Sequence, residues 1–424
     1  MEEFIVEGGH KLSGSLQVKG AKNSMLPIMA ASVLNSSDGS VVLHNIPNIY
    51  DLHVMKNILD SLGFKVEYQG DTLQITPGEE IHYVIPDDFM REMRSSIFLM
   101  GPLLARIGKV KLTYPGGCSI GPRPIDLHLK GLASLGVQVR EENGYIEASA
   151  EKLLGTDIHL DYPSVGATEN LIMAAVLAHG KTTIYNAAKE PEIVDLQNFL
   201  NAMGCQVRGA GTEKIRIEGV PAAGKCHYRI IPDRIVAGTY LMAAAITGGE
   251  VTLHEIIPSH LDAVVAKLKE AGVEIQGTED SLTVKDGSLR AVETLRTLPY
   301  PGFPTDLQAP MSALLTKARG DSLIVENVFE ARFQHMEELI KMNAQVNVKD
   351  RNALITGVER LVGARVNATD LRAGAALVLA ALAAEGTSVI QHVWHIDRGY
   401  ESMEKALKQL GARIERAGGP DPSP

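Results

Sequence analysis

Two helical patterns alternate along this chain, and strand patterns follow each. In "DLHVMKNILDSLGFKVEY", from Asp51, the apolar residues Leu52, Met55, Leu59 and Leu62 recur at helical spacing and define one apolar face. Gly63 then supplies the left-handed residue that stops a helix, and "VEY" predicts a strand by its alternation. The same order returns in "DLHLKGLASLGVQVRE" from Asp126, "EIVDLQNFLNAMGCQVRG" from Glu192 and "HLDAVVAKLKEAGVEIQG" from His260. It returns again in "HMEELIKMNAQVNVKD" from His335 and "YESMEKALKQLGARIERA" from Tyr400. The turn residues Gly63, Gly136, Gly204, Gly272, Asn343 and Gly411 stand 73, 68, 68, 71 and 68 residues apart, which marks six copies of one internal repeat.

A second strand follows in five copies: "TLQITPG", "GYIEASA", "KIRIEGV", "SLTVKDG" and "ALITGVE". The sixth copy runs instead into "AGGPDPSP", and the N-terminal "EFIVEGG" has the pattern that it lacks. Residues 1–21 are therefore expected to complete the last repeat, closing the chain on itself. Each copy then has a strand leading into a second helix, as in "LQVKGAKNSMLPIMAASVL", "VIPDDFMREMRSSIFLMGPLL" and "RIIPDRIVAGTYLMAAAI". These helices are apolar nearly all round, which predicts full burial. A chain of 424 residues exceeds one ordinary core. The expectation is an α/β (α+β) fold: a two-domain inside-out α/β barrel. Each domain would hold three repeats of a two-helix, four-strand unit, with helices buried and sheets facing outward. The border falls near Pro232, giving one domain of residues 22–231 and another of 1–21 plus 232–424.

Composition narrows the function. Hydrophobic content of 45% and charged content of 22% are those of a soluble globular protein. A net charge of −10 argues against nucleic-acid binding, which needs a basic face. Three cysteines, Cys118, Cys205 and Cys226, make no disulfide framework and suit a reducing compartment. The acidic start "MEEFIVEGGHK" is no signal peptide, and the longest apolar run, "AGAALVLAALAA", is too short to span a bilayer. A cytoplasmic protein without membrane partners is expected. Neither a metal nor a cofactor is expected, because the 13 histidines form no H-E-x-x-H or Cys/His zinc pattern and no phosphate or dinucleotide loop occurs.

Strand-to-helix junctions carry the unusual polar residues. One set holds Lys22 and Asn23 in "VKGAKNS", Arg91 and Arg94 in "MREMRSS", and Ser164 in "PSVGAT". It continues with Arg234 in "PDRIVAG", Asp306 in "FPTDLQ", and Asp370 and Arg372 in "ATDLRAG". The other set holds Cys118 and Arg123 in "PGGCSIGPRP", Arg332 in "VFEARFQHM" and Arg398 in "HIDRGYE". One arginine at such a place is most simply a surface ion pair or a helix-end contact. A set recurring at matching points suits a multiply anionic ligand bound between two domains, since helix N-termini attract anions. Cys205 and Cys226 read as packing residues. Cys118 differs: Gly116 and Gly117 let its loop approach a ligand, Pro122 and Pro124 stiffen it, and Arg123 would lower a thiol pKa from about 8.5.

At these residues the chain resembles the UDP-N-acetylglucosamine enolpyruvyl transferases (UDP-N-acetylglucosamine 1-carboxyvinyltransferases) of the EPSP synthase superfamily. The matching segments include "KGAKNSMLPI", "MRSSI", "PGGCSIGPRPIDLH", "SVGAT", "NAAKEPEIVDL", "PDRIVAGT", "FPTDLQA", "VFEARFQH", "ATDLRA" and "HIDRGYE", in family order along nearly the whole chain. The sister 5-enolpyruvylshikimate-3-phosphate synthases share the six-unit fold without the cysteine loop. The resemblance implies transfer of the enolpyruvyl group of phosphoenolpyruvate to the 3′-hydroxyl of UDP-N-acetylglucosamine, with phosphate leaving, by addition and elimination under domain closure. It implies Cys118 as the acid that protonates carbon 3 and as the site of covalent inhibition by fosfomycin, and Asp306 as the base. Lys22, Arg123 and Arg398 would clamp phosphate and carboxylate, with Arg332 and Arg372 nearby, and Asn23 would hold the sugar. Arg94, the run Arg123, Pro124, Ile125, Asp126 and Leu127, the run Ser164, Val165 and Gly166, and Val328 would line the nucleotide-sugar site. Where some relatives carry a Lys, this chain reads "DYPSVGAT", so Tyr162 is not counted in the site. Two rival readings stay open on the residues alone: a transferase for another acceptor, and an inactive protein that binds nucleotide sugars.

Overall fold

The computed structural model describes residues 2–114 and 125–419. They group into two compact units, 2–19 with 232–419 and 20–114 with 125–231. Each unit contains three small sheets of one design. In the sheet of Asp157–His159, Lys181–Tyr185, Lys214–Glu218 and Gln206–Arg208, the short first strand runs parallel to the second, and the remaining pairings are antiparallel. A buried helix joins the two parallel strands, an amphipathic helix comes next, and a hairpin finishes the repeat. The turn residues expected from sequence all stop helices with positive φ: Gly63 at 93°, Gly136 at 94°, Gly204 at 91°, Gly272 at 86°, Asn343 at 70° and Gly411 at 90°.

The N-terminal strand Glu3–Glu7 lies between Thr387–Gln391 and Arg413–Ala417, antiparallel to both, and so supplies the strand missing from the sixth copy. The two segments that pass from one unit to the other each leave a strand behind. Ser13–Gln17 precedes the helix Lys22–Ala31 but pairs with Glu250–His254, from Ser13 opposite Glu250 to Gln17 opposite His254. His227–Arg229 precedes the helix Arg234–Ile246 but pairs with Val41–His44.

Interior helices build each core. Arg234–Ile246, Gln308–Leu315 and Leu371–Ala383 serve one unit, and Lys22–Ala31, Met100–Ile107 and Val165–Ala175 serve the other. Leu241, Leu314 and Leu377 are wholly buried, and truncating such a residue to Ala costs about 2–5 kcal/mol. The packing is close: a Cβ on Gly101 would stand 2.3 Å from the backbone oxygen of Asn170.

One repeat departs from the pattern. The stretch expected to be a strand and a continuous helix keeps only a bridge, Val84 to Lys111, in place of the strand. Its helix is broken into Asp87–Glu92, the 3-10 turn Arg94–Leu99 and Met100–Ile107, because Met93 is extended at φ −135° and ψ 109°. Arg91 thereby falls in the last turn of a short helix, whereas Arg94 opens the next. No helix among the described residues is long and apolar enough to cross a membrane.

Candidate active site

In the unit of 2–19 and 232–419, three of the expected residues meet. Asp306 lies in the 3-10 turn Thr305–Leu307 that opens an interior helix. Its Oδ1 accepts from Arg332 Nη2 at 2.7 Å and its Oδ2 from Arg372 Nη2 at 3.1 Å. Both arginines are buried, at 5% and 4% exposure, while the Asp306 side chain keeps 25%. A carboxylate is thus held in a fixed pose, one oxygen to each guanidinium, with one edge near solvent. Such charge-assisted bonds are stronger than neutral ones and well suited to orientation.

Each guanidinium is steadied from behind. Arg332 Nη1 donates to Thr305 Oγ1 at 2.7 Å, and that hydroxyl donates to Glu326 Oε2 at 2.9 Å. Glu326 Oε1 accepts from the N–H groups of Val328 and Phe329 at 2.8 and 3.1 Å, so this buried carboxylate also fixes the Val328 turn. The Arg332 guanidinium stands over the Phe329 ring at 5.0 Å. Arg372 Nη1 donates to the Tyr400 hydroxyl at 3.2 Å. Burial alone would weaken the basicity of Arg372, but Asp306, Tyr400 and Asp233 raise its pKa overall. Asp370 caps the helix of Arg372 by accepting from the N–H groups of Arg372 and Ala373. Arg398 is half-buried at the end of the helix Trp394–Asp397. Burial first, then the Arg398 charge, pulls His395 down to about 4, and burial likewise pulls His335, beside Arg332 and Asp370, down to about 4. Both imidazoles are neutral at pH 7.

The other unit holds Lys22 at the first position of its helix, where a cation opposes the helix dipole. Asp51 offsets this: Lys22 Nζ lies 2.6 Å from Asp51 Oδ2, and Asp51 is 1% exposed. The helix start has no side-chain cap at Ala21, unlike the starts capped by Ser164, Asp233 and Asp370. Asn23, next in the chain, is half-buried.

His128 ties together a second cluster. Asn170 Oδ1 accepts from the Gly101 N–H at 2.8 Å, which fixes the amide so that Nδ2 donates to Ile97 O and to His128 Nδ1, both at 3.0 Å. The His128 proton therefore sits on Nε2. Burial, then Arg94, holds this imidazole at about 4, with Asp126 opposing, so it is neutral. A Cβ on Gly166 would stand 3.3 Å from that Nε2, so a side chain there would crowd the ring. Arg94, Asp126 and Gly166 thus surround one imidazole. Ile125 is buried, Leu127, Ser164 and Val165 are half-buried, and Ser164 accepts from the Ala167 N–H at 3.3 Å. Cys118, Arg123 and Pro124 lie outside the described residues.

Glu169, on the interior helix Val165–Ala175, is 1% exposed, and neither carboxyl oxygen has a hydrogen-bond partner among the described residues. Burial, then Glu192 and Glu190, raises its pKa well above the usual carboxylate range. Burial pushes the thiol of Cys205 up to about 12 and that of Cys226 up to about 11, which makes both poor nucleophiles. Among the described residues no group of three or more His, Cys, Asp or Glu could hold a metal ion. Reading the sequence missed Asp51, Glu326, Tyr400 and His128 as partners of site residues. Only Asp51 carried a signal, an acid in the first turn of a helix, and that is an ordinary helix-start residue.

Residues 6–417 match the family EPSP synthase (3-phosphoshikimate 1-carboxyvinyltransferase), and the chain belongs to that family. It is 52% identical over 417 residues, 98% of this chain and 100% of the relative, to UDP-N-acetylglucosamine 1-carboxyvinyltransferase 2 of Caldanaerobacter subterraneus subsp. tengcongensis. It is 53% identical over 421 residues, 98% of this chain and 95% of the relative, to UDP-N-acetylglucosamine 1-carboxyvinyltransferase 1 of Symbiobacterium thermophilum. Among solved structures it resembles the enolpyruvyl transferase NikO from Streptomyces tendae, with a TM-score of 0.88 at 25% identity over 99% of both chains.

Proposed function

We propose that this chain transfers the enolpyruvyl group of phosphoenolpyruvate to the 3′-hydroxyl of UDP-N-acetylglucosamine and releases phosphate, the first committed step of peptidoglycan synthesis. The observation that carries the reading is identity of 52% along essentially the full length of a relative named for 1-carboxyvinyl transfer to that acceptor. Carbon 3 of the enol gains a proton while the sugar oxygen, losing its own, bonds to carbon 2. The tetrahedral intermediate then loses a proton from carbon 3 and expels phosphate.

In this reading Cys118 protonates carbon 3, and Asp306 takes the hydroxyl proton. The fixed pose of Asp306 between Arg332 and Arg372 supports that role, since a base must be aimed before it is useful. Lys22, Arg123 and Arg398 hold phosphate and carboxylate, and Asn23 holds the sugar. Arg94, Arg123, Pro124, Ile125, Asp126, Leu127, Ser164, Val165, Gly166 and Val328 contact the nucleotide sugar. The reading carries a cytoplasmic location, in keeping with the free thiols of Cys205 and Cys226. It also carries domain closure, for which a smaller radius of gyration by solution scattering on adding both substrates is the expected sign.

Phosphate release by the purified protein tests the reaction. Release with UDP-N-acetylglucosamine and none with shikimate 3-phosphate is expected; the reverse preference overturns it. Cys118→Asp should keep part of the activity, because a carboxylic acid can still give a proton, and should resist fosfomycin. A fully active Cys118→Ala removes the acid role.

A further inference from the structure

We propose that Tyr400 is a positioning residue for this reaction, its hydroxyl holding Arg372 in the pose that grips Asp306, with Thr239 fixing the hydroxyl in turn. The proposal rests on the function proposed above and goes beyond its substrate-contacting residues.

The hydrogen bonds leave one consistent assignment. Thr239 Oγ1 lies 2.9 Å from the carbonyl oxygen of Ile235, an acceptor only, so the single Thr239 proton points there. Thr239 Oγ1 also lies 2.9 Å from the Tyr400 hydroxyl, which must then be the donor of that bond. With its proton committed, the Tyr400 oxygen presents lone pairs, and Arg372 Nη1 donates to it at 3.2 Å. Arg372 Nη2 donates to Asp306 Oδ2 at 3.1 Å. A directed chain therefore runs from Asp306 through Arg372, Tyr400 and Thr239 to the backbone of the helix Arg234–Ile246.

All three relay residues are inaccessible: Tyr400 is 1%, Thr239 0% and Arg372 4% exposed. Water cannot substitute for the phenol as acceptor, so a guanidinium that lost it would be left with an unmet buried donor. Burial raises the phenol pKa, which keeps the donor protonated throughout the working range. The Arg372 guanidinium also stands 5.5 Å from the Tyr400 ring centre, so the ring limits sideways motion while the hydroxyl sets rotation. Thr305 and Glu326 do the same for Arg332 on the opposite oxygen of Asp306. The two clamps come from different elements, and neither can turn without leaving the carboxylate askew.

The test compares steady-state phosphate release by the full-length wild type, Tyr400→Phe, Thr239→Val and the double variant, with kcat taken per folded molecule by calorimetry. Tyr400→Phe keeps the ring and removes only the relay, so kcat should fall about tenfold while KM for UDP-N-acetylglucosamine stays within about twofold. Thr239→Val should lower kcat about threefold and add nothing to Tyr400→Phe, because both act through one chain. A merely structural role would lower the melting temperature and leave kcat per folded molecule alone. Wild-type kcat in Tyr400→Phe, or losses that multiply in the double variant, overturns the proposal. Should Tyr400→Phe fail to fold, Thr239→Val decides: a lower kcat at unchanged melting temperature supports the relay, and wild-type kcat overturns it. A wild type without phosphate release sinks the function and the relay together, whereas an active wild type with unaffected variants sinks the relay alone.

Discussion

The surroundings of Asp306 and of Glu169 are two answers to one electrostatic problem. Each carboxyl sits on or beside an interior helix, Asp306 in one unit and Glu169 in the other, where an unpaired charge is expensive. Asp306 gives one oxygen to each of two buried guanidiniums and keeps a quarter of its side chain exposed. Glu169 is sealed, has Glu192 and Glu190 as its charged neighbours, and has its pKa raised well above the usual carboxylate range, by burial first. The first arrangement keeps a carboxyl paired, aimed and reachable; the second seals one away from cations and out of reach. The repeat supplies the scaffold for both, and the local choice of cations decides which carboxyl is held aimed toward solvent.

The largest effect expected from this contrast is on turnover. Asp306→Ala should lower phosphate release about 10³-fold or more while calorimetry still detects phosphoenolpyruvate binding. Retained turnover would put Asp306 on a level with Glu169. Next is Lys22→Ala, which breaks the buried ion pair with Asp51 and should cost about 3–5 kcal/mol in urea unfolding. Pairing it with Asp51→Asn should recover much of that loss, because both charges are then gone.

Glu169→Gln sharpens the comparison through pH. The folded carboxyl titrates above its unfolded value of 4.5, so its contribution is complete below that pH and is lost as pH rises toward the folded value. Replacing it by a neutral amide removes the slope. Relative to wild type, Glu169→Gln should therefore gain stability as pH rises above about 4.5, by at most about 1.4 kcal/mol per unit. A flat difference above that pH contradicts the raised pKa. The smallest effect concerns thiols: Cys205 and Cys226, pushed up to about 12 and about 11, should stay unlabelled by iodoacetamide at pH 7.5 in the native protein, as peptide mass spectrometry can check.

Much of the scaffold was legible because its signals are local. A residue with positive φ after an amphipathic helix identifies itself as Gly or Asn, so Gly63 through Gly411 marked all six repeats. The orphan strand at Glu3–Glu7 showed in the same way, since only its partner was missing. The break at Met93 was not legible, because nothing in "MREMRSS" forbids a continuous helix. Site cations showed as residues out of place, Lys22 at a helix start above all. Their partners did not, since Asp51, Tyr400 and Thr239 are each ordinary where they stand and acquire meaning only through contacts distant in the chain.

Mass spectrometry of the product formed from both substrates in deuterated water tests the central claim most directly. Addition and elimination predict UDP-N-acetylglucosamine enlarged by one enolpyruvyl group, with deuterium on the vinyl carbon of part of the product. A product of that mass without deuterium contradicts protonation at carbon 3, and an unchanged nucleotide sugar contradicts the proposed transfer itself.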